Sequence, residues 1–353
     1  MKVEKRFTVG LVFGGNDVEN ISNRQAVKDI RRVLERYSIG ILEFNLNHGV
    51  KPSHIGKVGT FFVIDSNISD YNARDEFFES VTQKGIPCIG QNRRAFMVAR
   101  NKDATSAALL KKGLSVSPRL FLKSKGSAEL IELRQFVKRH GFPVVIKDNF
   151  GSSSENVLVA MSMAEVESAL QHVMSDCGQA LIEAYAKGVE LTVLCVTLCG
   201  QKVSLMPIEI EYDRLIYDFK VKNKTMRNKL YLPPRLPKKT IDAARDCANK
   251  ADRAVGCKSY SRTDMKVTIE GTTCIIEVNG EPVLSRNDFM ARSAKHLGLS
   301  YGRLIIGLMS NSEPFLAYAR ANNPVLFRYI ESTESLVRGL ECECAPGTPQ
   351  SRF

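Results

Sequence analysis

The sequence predicts an α/β protein that opens on a strand–helix layer and passes into α+β subdomains with mainly antiparallel strands. Three observations carry this. Compact apolar strands alternate with helical runs from Phe7 to about Gly90, the style changes at Ser117-Pro118 to short strands in close succession, and 353 residues with 44% hydrophobic content suffice for two or three packed domains or subdomains. Taken in order, Phe7 to Phe13 is a strand stopped by Gly14-Gly15, Arg24 to Tyr37 has helical apolar spacing, and Gly40 to Phe44 and Phe61 to Ile64 are further strands. A helical run from about Glu76 to Lys84 leads to a strand at Pro87-Cys88-Ile89-Gly90, and Arg93 through Gly113, which contains Asn101-Lys102-Asp103, reads as helix throughout. Beyond Ser117-Pro118 the strands are Val144 to Lys147, Val157 to Met161, Ala180 to Ala184, Leu191 to Thr197 and Val203 to Ile210, with a helix at Met163 to Met174. Another helix, Lys239 to Val255, is entered at Pro237 and closed by Gly256. The tail from Glu341 to Phe353, with Pro346, Gly347 and Pro349, is expected to fray.

The segment richest in chemistry runs from Arg262-Thr263-Asp264 to Glu277-Val278-Asn279. Two alternating apolar runs, Met265 to Ile269 and Thr272 to Val278, flank Glu270-Gly271, a pair suited to a two-residue hairpin turn. With that turn Ile269 faces Thr272, and counting outward sets Asp264 opposite Glu277 and Arg262 opposite Asn279 on one face. Carboxylates directly across a ladder repel unless a cation bridges them. The oxygen-only set of Asp264, Glu277 and Asn279 suits Mg2+, which keeps waters and phosphate oxygens as its other ligands. The alternative is a solvated strand face with ordinary paired charges.

A formal net charge of +12 favours anionic partners: nucleotide phosphates, acidic small molecules, an acidic protein or nucleic acid. Much of the excess is local, in Lys220, Lys222, Lys224, Arg227, Lys229, Arg235, Lys238 and Lys239, a segment that reads as a loop and, beside a metal–phosphate site, as a lid. No nucleic-acid-binding module accompanies it. The charged start Met1 to Arg6 precedes only a short apolar run, which reads as a first strand and not a signal peptide, and no stretch is long and apolar enough to cross a membrane. Nine cysteines, scattered and mostly in apolar runs, fit reduced thiols of a cytoplasmic protein; neither they nor the five histidines have a zinc spacing.

Lys147 ends the strand that begins at Val144, just before Phe150-Gly151-Ser152-Ser153-Ser154, a small loop whose backbone N–H groups suit phosphate although the Gly-Lys-Ser/Thr order of a Walker loop is absent. Glu183 and Glu190 frame a connector between two strands, either as surface charge or as acceptors for an adenine amino group and a ribose.

Gly14-Gly15 through Ser22, Lys102, Pro143 to Lys147 with Gly151-Ser152-Ser153, Glu183 to Glu190, Arg262-Thr263-Asp264 and Glu277-Val278-Asn279 follow one another in the order seen in D-alanine–D-alanine ligases. The chain therefore resembles a member of the ATP-grasp superfamily from Phe7 to Ser310. The resemblance implies two mainly antiparallel α+β subdomains clasping ATP behind an open α/β domain. Its implied boundaries are an N-terminal domain over 1–98, a central subdomain over 99–190, a catalytic subdomain over 191–312 with a lid loop over 211–235, and a partly flexible C-terminal extension over 313–353. Lys102 and Lys147 would hold ATP phosphates, Ser152 and Ser153 would lie in the phosphate-covering loop, Ser153 among the catalytic groups, and Glu183 and Glu190 would meet the adenine amine and the ribose. Ala184 and Ala186 are assigned to the nucleotide as well, and Asp264, Glu277 and Asn279 to two Mg2+. In that family the γ-phosphate passes to a carboxylate, and an amine attacks the acyl phosphate to give an amide, ADP and phosphate. Arg262 would stabilise the oxyanion, Lys222 would act from the lid, and Glu19 would anchor the ammonium of the activated amino acid. The implied partners are small carboxylates and amines, amino acids among them, and a second copy of the chain in a homodimer.

The acceptor side departs from the family. Its Asn-Thr-x-Pro-Gly-Met-Thr, followed by Ser-Leu, appears here as Asn279 to Phe289, with Asp288 where a serine greets the carboxylate of the second D-alanine and Phe289 in place of the leucine. Val283 replaces the glycine whose backbone N–H faces the oxyanion, but the N–H is retained. A carboxylate facing Asp288 costs on the order of one to a few kcal/mol in a partly desolvated site. Ile64 to Tyr71 lacks the histidine and glycines of the family's His-Gly-x-x-Gly-Glu-Asp-Gly, and Tyr217 to Asn223 keeps the lid lysine as Lys222 but offers Asn223 for the closing tyrosine. The expectation is an amino-acid ligase of specialised metabolism with a changed acceptor. The alternatives are a cell-wall D-alanine–D-alanine ligase, a ligase loading an acidic carrier protein, and a non-catalytic nucleotide-binding protein, which would not need Arg262.

Overall fold

The structure is a computed structural model that describes residues 6–15, 17–50, 52–65, 71–124, 126–151, 156–213, 215, 228–268 and 271–343, apart from the side chains of 17–20, 52 and 341–343. Strands β1 (Thr8–Phe13), β2 (Gly40–Asn45), β3 (Thr60–Asp65) and β4 (Cys88–Ile89) make a parallel sheet in the order β2-β1-β3-β4, with helices α1 (Asp17–Glu35), α2 (Pro52–Ile55) and α3 (Tyr71–Gln83) in the connections. Helix α1 turns Ala26, Val27, Ile30, Val33 and Leu34 into the core and leaves Arg24, Lys28 and Arg32, spaced by four, exposed. Gly10 gives β1 room for Phe61, whose ring lies where a Cβ would stand, at 2.5 Å.

The long helix expected from Arg93 to Gly113 is two helices, α4 (Arg93–Arg100) and α5 (Lys102–Leu110). Asn101 is extended, and its side chain accepts from the Ala104 N–H, so the residue that ends one helix caps the next. An asparagine offers the backbone this local bond, which a helical interior does not need, and apolar spacing alone does not register it. Strands β5 (Arg119–Leu122), β6 (Val144–Lys147), β7 (Val157–Ala160) and β8 (Ala180–Ala184) pair antiparallel in the order β5-β8-β6-β7 and share a core with α6 (Ser127–His140) and α7 (Met163–Cys177).

A third sheet, also antiparallel, orders β12-β11-β9-β13-β14, with β10 paired to β9: β9 (Val189–Leu198), β10 (Gln201–Ser204), β11 (Ile208–Tyr212), β12 (Asn228–Tyr231), β13 (Tyr260–Val267) and β14 (Thr273–Asn279). The single strand expected from Val203 to Ile210 is therefore two, parted around Pro207, which has no N–H for a ladder. The lid loop expected over 211–235 is also shorter, because Glu211 and Tyr212 end β11 and pair with β12. Arg235, counted in the basic lid, is held by Glu209 and Glu211 and stacks on Tyr231 with its guanidinium 3.5 Å from the ring centroid. Those bonds raise its pKa further, so its charge is spent at the base of the hairpin. Helix α8 (Lys238–Val255) runs from Pro237 to Gly256 as expected and packs Ala244, Cys247, Ala248, Ala251 and Val255 beneath the sheet.

Four helices close the chain: α9 (Phe289–His296), α10 (Tyr301–Met309), α11 (Glu313–Asn322) and α12 (Pro324–Glu343). The last two bury Phe315, Ala319, Leu326, Ile330 and Val337 in the same core as β1 and α1, and Asn323 Nδ2 donates to the Tyr37 carbonyl at 2.8 Å. Most of the expected tail, residues 344–353, lies outside the described residues. The parallel sheet is bolted to β13: Gln91 Nε2 donates to the Tyr260 and Gly280 carbonyls at 2.6 Å each, and Tyr260 Oη donates to the Val63 carbonyl at 2.6 Å. No helix among the described residues is long and apolar enough to cross a membrane.

Candidate active site

The hairpin places its charges as counted, by a different route. Asp264 pairs with Glu277 and Arg262 with Asn279, but Met265 pairs with Ile275 and Val267 with Thr273, so Ile276 is an extra residue in β14. The tip is not the two-residue turn expected. Thr268 N–H donates to Thr272 O and Gly271 N–H to Thr268 O, both at 3.0 Å, which makes a three-residue loop with Gly271 at φ 88°. Ile269 and Glu270 lie outside the described residues. One residue more in the loop and one more in the bulge cancel, which restores the register at the charged end.

Arg262, Asp264, Glu277 and Asn279 all line one cavity of about 400 Å³, within the range of small-molecule sites. The positive charge between the two carboxylates is that of Arg262. Its Nε donates to Asp264 Oδ1 at 3.0 Å and its Nη2 to Asp264 Oδ2 at 2.9 Å and Glu277 Oε1 at 3.2 Å. Thr192 Oγ1 on β9 donates to the same Asp264 Oδ1 at 2.6 Å, and Asn279 Oδ1 accepts from the Glu281 N–H at 2.9 Å. The acidic face is therefore oriented from three strands and one following turn.

The remaining predicted residues that the structure describes line the same cavity: Lys102, Lys147, Glu183, Ala184, Ala186, Glu190, Val283, Asp288 and Phe289. Lys147 Nζ and Glu183 Oε2 form an ion pair at 2.7 Å, with side chains only 5% and 11% exposed. Lys102 stands at the first turn of α5 because buried Asn149 latches the helix break: Asn149 O accepts from the Lys102 N–H, Oδ1 from the Asp103 N–H, and Nδ2 donates to Asn101 Oδ1. Its Nζ donates to Gly151 O at 2.5 Å, at the threshold of the Ser152–Ser153 loop. Burial lowers the Lys102 pKa to about 8, with Glu277 opposing and Lys147 and Arg100 reinforcing the shift. Glu190 is held by Lys266 Nζ at 3.0 Å and by Tyr212 Oη, and Lys266 Nζ donates to Tyr212 Oη at 2.7 Å. Asp288 Oδ2 accepts from the N–H of Ser285 at 3.0 Å and from its hydroxyl. Burial pushes the Asp288 carboxyl up, against those bonds and the charge of Arg262. Glu19 has its backbone in α1, but its side chain, with Ser152, Ser153 and Lys222, lies outside the described residues.

Sequence reading missed Lys266, Tyr212, Thr192, Asn149 and Arg100. Lys266 was within reach, since it shares the period-two face of Arg262 and Asp264. Arg100, which lines the cavity and donates to the Phe150 carbonyl at 2.6 Å, had no signal apart from a helix that ran straight through it.

A clasp of two antiparallel layers around a cavity with cations at one wall and a carboxylate hairpin at another defines an ATP-grasp enzyme. The fold is shared with the VanG D-Ala:D-Ser ligase from Enterococcus faecalis (TM-score 0.74, 18% identity, 86% of this chain and 98% of that one). It is shared too with the D-alanine–D-alanine ligase from Bacillus anthracis complexed with ATP (TM-score 0.69, 21% identity, 87% and 97%). A D-alanine–D-alanine ligase from Anaeromyxobacter sp. (strain K) is 31% identical over 218 residues, 61% of this chain and 68% of its own length. Residues 109–310, more than half of the chain, match the family model described as D-ala D-ala ligase C-terminus. The chain belongs to the D-alanine–D-alanine ligase family and is an ATP-grasp ligase of the class that joins an acid to an amino acid through a carbon–nitrogen bond.

Proposed function

We propose that this protein uses ATP to activate an amino-acid carboxylate as an acyl phosphate and transfers the acyl group to an amine other than D-alanine. The observation that carries the first half is the meeting of Arg100, Lys102 and Lys147 with the Arg262–Asp264–Glu277 cluster in one cavity. A triphosphate fits the cationic wall: among the described residues Arg100 Nε is buried with no hydrogen-bond partner, and Lys102 Nζ gives its bond to a carbonyl and to no carboxylate. The hairpin fits Mg2+ by chemistry, offering two carboxylates and an amide oxygen. Mg2+ held by Asp264, Glu277 and Asn279 would neutralise charge on the transferring phosphoryl group. Lys102 and Lys147 would hold phosphate oxygens in place, and Glu183 and Glu190, already fixed by Lys147 and by Lys266 with Tyr212, keep lone pairs for an adenine amine and ribose hydroxyls. Arg262 would donate to the oxyanion as the amine adds, the amine losing a proton and phosphate leaving with the electron pair of the broken C–O bond. Glu19 would anchor the activated amino acid, and Ser153 and Lys222 would close over the phosphates. We also read the boundaries near 98, 190 and 312 as the limits of the domains.

Lys102 supplies a pH test. Its ammonium titrates at about 8, and phosphate binding favours the charged form, so nucleotide affinity should fall about tenfold per pH unit above about 8. Calorimetry at pH 9 in buffers of different ionisation enthalpy should show proton uptake on ATP binding. Binding without uptake removes Lys102 from the phosphates.

The changed acceptor rests on Asp288, which lines the cavity beside Val283 and Phe289. The D-Ala:D-Ser ligase of Enterococcus faecalis supports the idea that this fold accepts other amines. Asp288→Ser should raise kcat/KM about tenfold for single amino acids as acceptors, whose free carboxylate would face residue 288, since the repulsion removed is on the order of 1 kcal/mol or more. No gain for such acceptors refutes the electrostatic argument. The reaction itself is tested by ADP release over single and paired D- and L-amino acids, with product masses read together. D-alanyl-D-alanine as main product makes this an ordinary dipeptide ligase, and silence across the panel overturns the amino-acid ligase reading and moves the search to carrier proteins or a non-catalytic role.

A further inference from the structure

Outside the ligase cavity, and joined to it at Asp288, lies a groove between α1 and the turn 285–288. Asp288 and Ser285 form its floor and lie at the acceptor end, while Ser22, Arg24, Gln25 and Lys28 of α1 form its outer wall. The walls are fixed to one another. Asp29, 4% exposed, accepts from Gln25 Nε2 at 3.1 Å on its own helix and from the Arg286 N–H at 3.0 Å on the other wall. The groove is thus a built feature, since a buried carboxylate that spans it fixes its width.

Its charge is graded. The inner end carries the Asp288 carboxylate, whereas the outer wall carries Arg24 and Lys28, followed one turn on by Arg32, all on the exposed face of α1. Lys28 has no ion-pair partner among the described residues, and the acid beneath it, Asp29, already serves Gln25, Arg286 and, at 3.8 Å, Arg32. Ile21, 73% exposed, adds an apolar side chain to the lining of the groove. A molecule leaving the ligase cavity along it would pass from the Asp288 carboxylate to the apolar and cationic side chains of α1.

We propose that this groove is a second acceptor subsite: the attacking amine belongs to a molecule longer than one amino acid, with an N–H beside Asp288 and a terminal carboxylate held at Lys28 and Arg24. This rests on the ligase reading above and deepens it. An amide N–H satisfies Asp288, where a free carboxylate at that point would be repelled, and the anion is moved outward to where the protein is positive. A peptide has this pattern, because each added residue carries the carboxylate roughly 3.5 Å further from the amine.

The test is ADP release by the full chain with ATP, Mg2+ and D- or L-alanine as donor. Glycine, diglycine and triglycine serve as acceptors, each against its C-terminal amide. The proposal expects diglycine or triglycine to exceed glycine in kcat/KM by tenfold or more, and the C-terminal amide to lose most of that gain through KM. Lys28→Glu should raise KM for the favoured peptide about tenfold with kcat within twofold and abolish the preference for the free carboxylate, while Lys57→Glu, a reversal elsewhere on the surface, should change neither. ADP release with glycine equal to the peptides, or no distinction between carboxylate and amide, overturns the groove and leaves the ligase standing. Absence of ADP with every pair overturns both.

Discussion

Glu277→Ala should lower Mg2+-dependent ADP release by about 10³-fold or more with the fold intact. The activity loss follows from removing one of two carboxylates in an oxygen-only set, since a metal at a transferring phosphoryl group supplies several kcal/mol and each 1.36 kcal/mol is a factor of ten. Retention of the fold follows from where the side chain stands. Glu277 faces the cavity while its neighbours Ile275 and Val278 fill the core, and the substitution also removes a like charge from opposite Asp264, which keeps Arg262 and Thr192 as partners. The melting temperature should stay within a few degrees of the parent, and the Mg2+ dependence of the remaining turnover should flatten. Activity within tenfold of the parent would remove the hairpin from the reaction.

Arg262→Ala should weaken catalysis and strengthen the response of stability to Mg2+. As the oxyanion donor its loss should cost about 10²–10³ in kcat. As the cation shared by Asp264 and Glu277, its loss leaves two facing carboxylates without their guanidinium, so the protein without metal should melt lower. Added Mg2+ should then raise the melting temperature by more than it does in the parent, because the ion no longer competes with the arginine for the same oxygens. A thermal shift series with Mg2+ separates this from a simple loss of structure. An unchanged Mg2+-induced shift would show that the hairpin carboxylates do not bind the ion.

Much of this chemistry was legible in the sequence because it depends on local alternation. Arg262, Asp264, Glu277 and Asn279 share a face by period two, and Lys147 ends a strand whose apolar run gives it away. The failures have identifiable physics. Asn101 broke a helix through a side-chain cap, which apolar spacing does not record. Glu190 could be read as one of two acids framing a connector, but its partner Lys266 could not, because that pairing needs the order of β9 and β13 and not their sequences alone. Residues 313–343, expected to belong to a partly flexible C-terminal extension, instead form α11 and α12 and complete the core beneath the first strand, a relation between residues some three hundred positions apart.

The bulge at Ile276 has a consequence for how the hairpin can vary. The arrangement seen has a three-residue tip and buries Ile275. A tip tightened to two residues would slide the outer half by one step, erase the bulge and bring Ile276 opposite Met265, to be buried instead. An isoleucine stands at both positions, so either spelling of the tip fills the same space. The charged end keeps its pairing in both, which leaves the outer half free to drift in length and composition while the reacting groups stay in place.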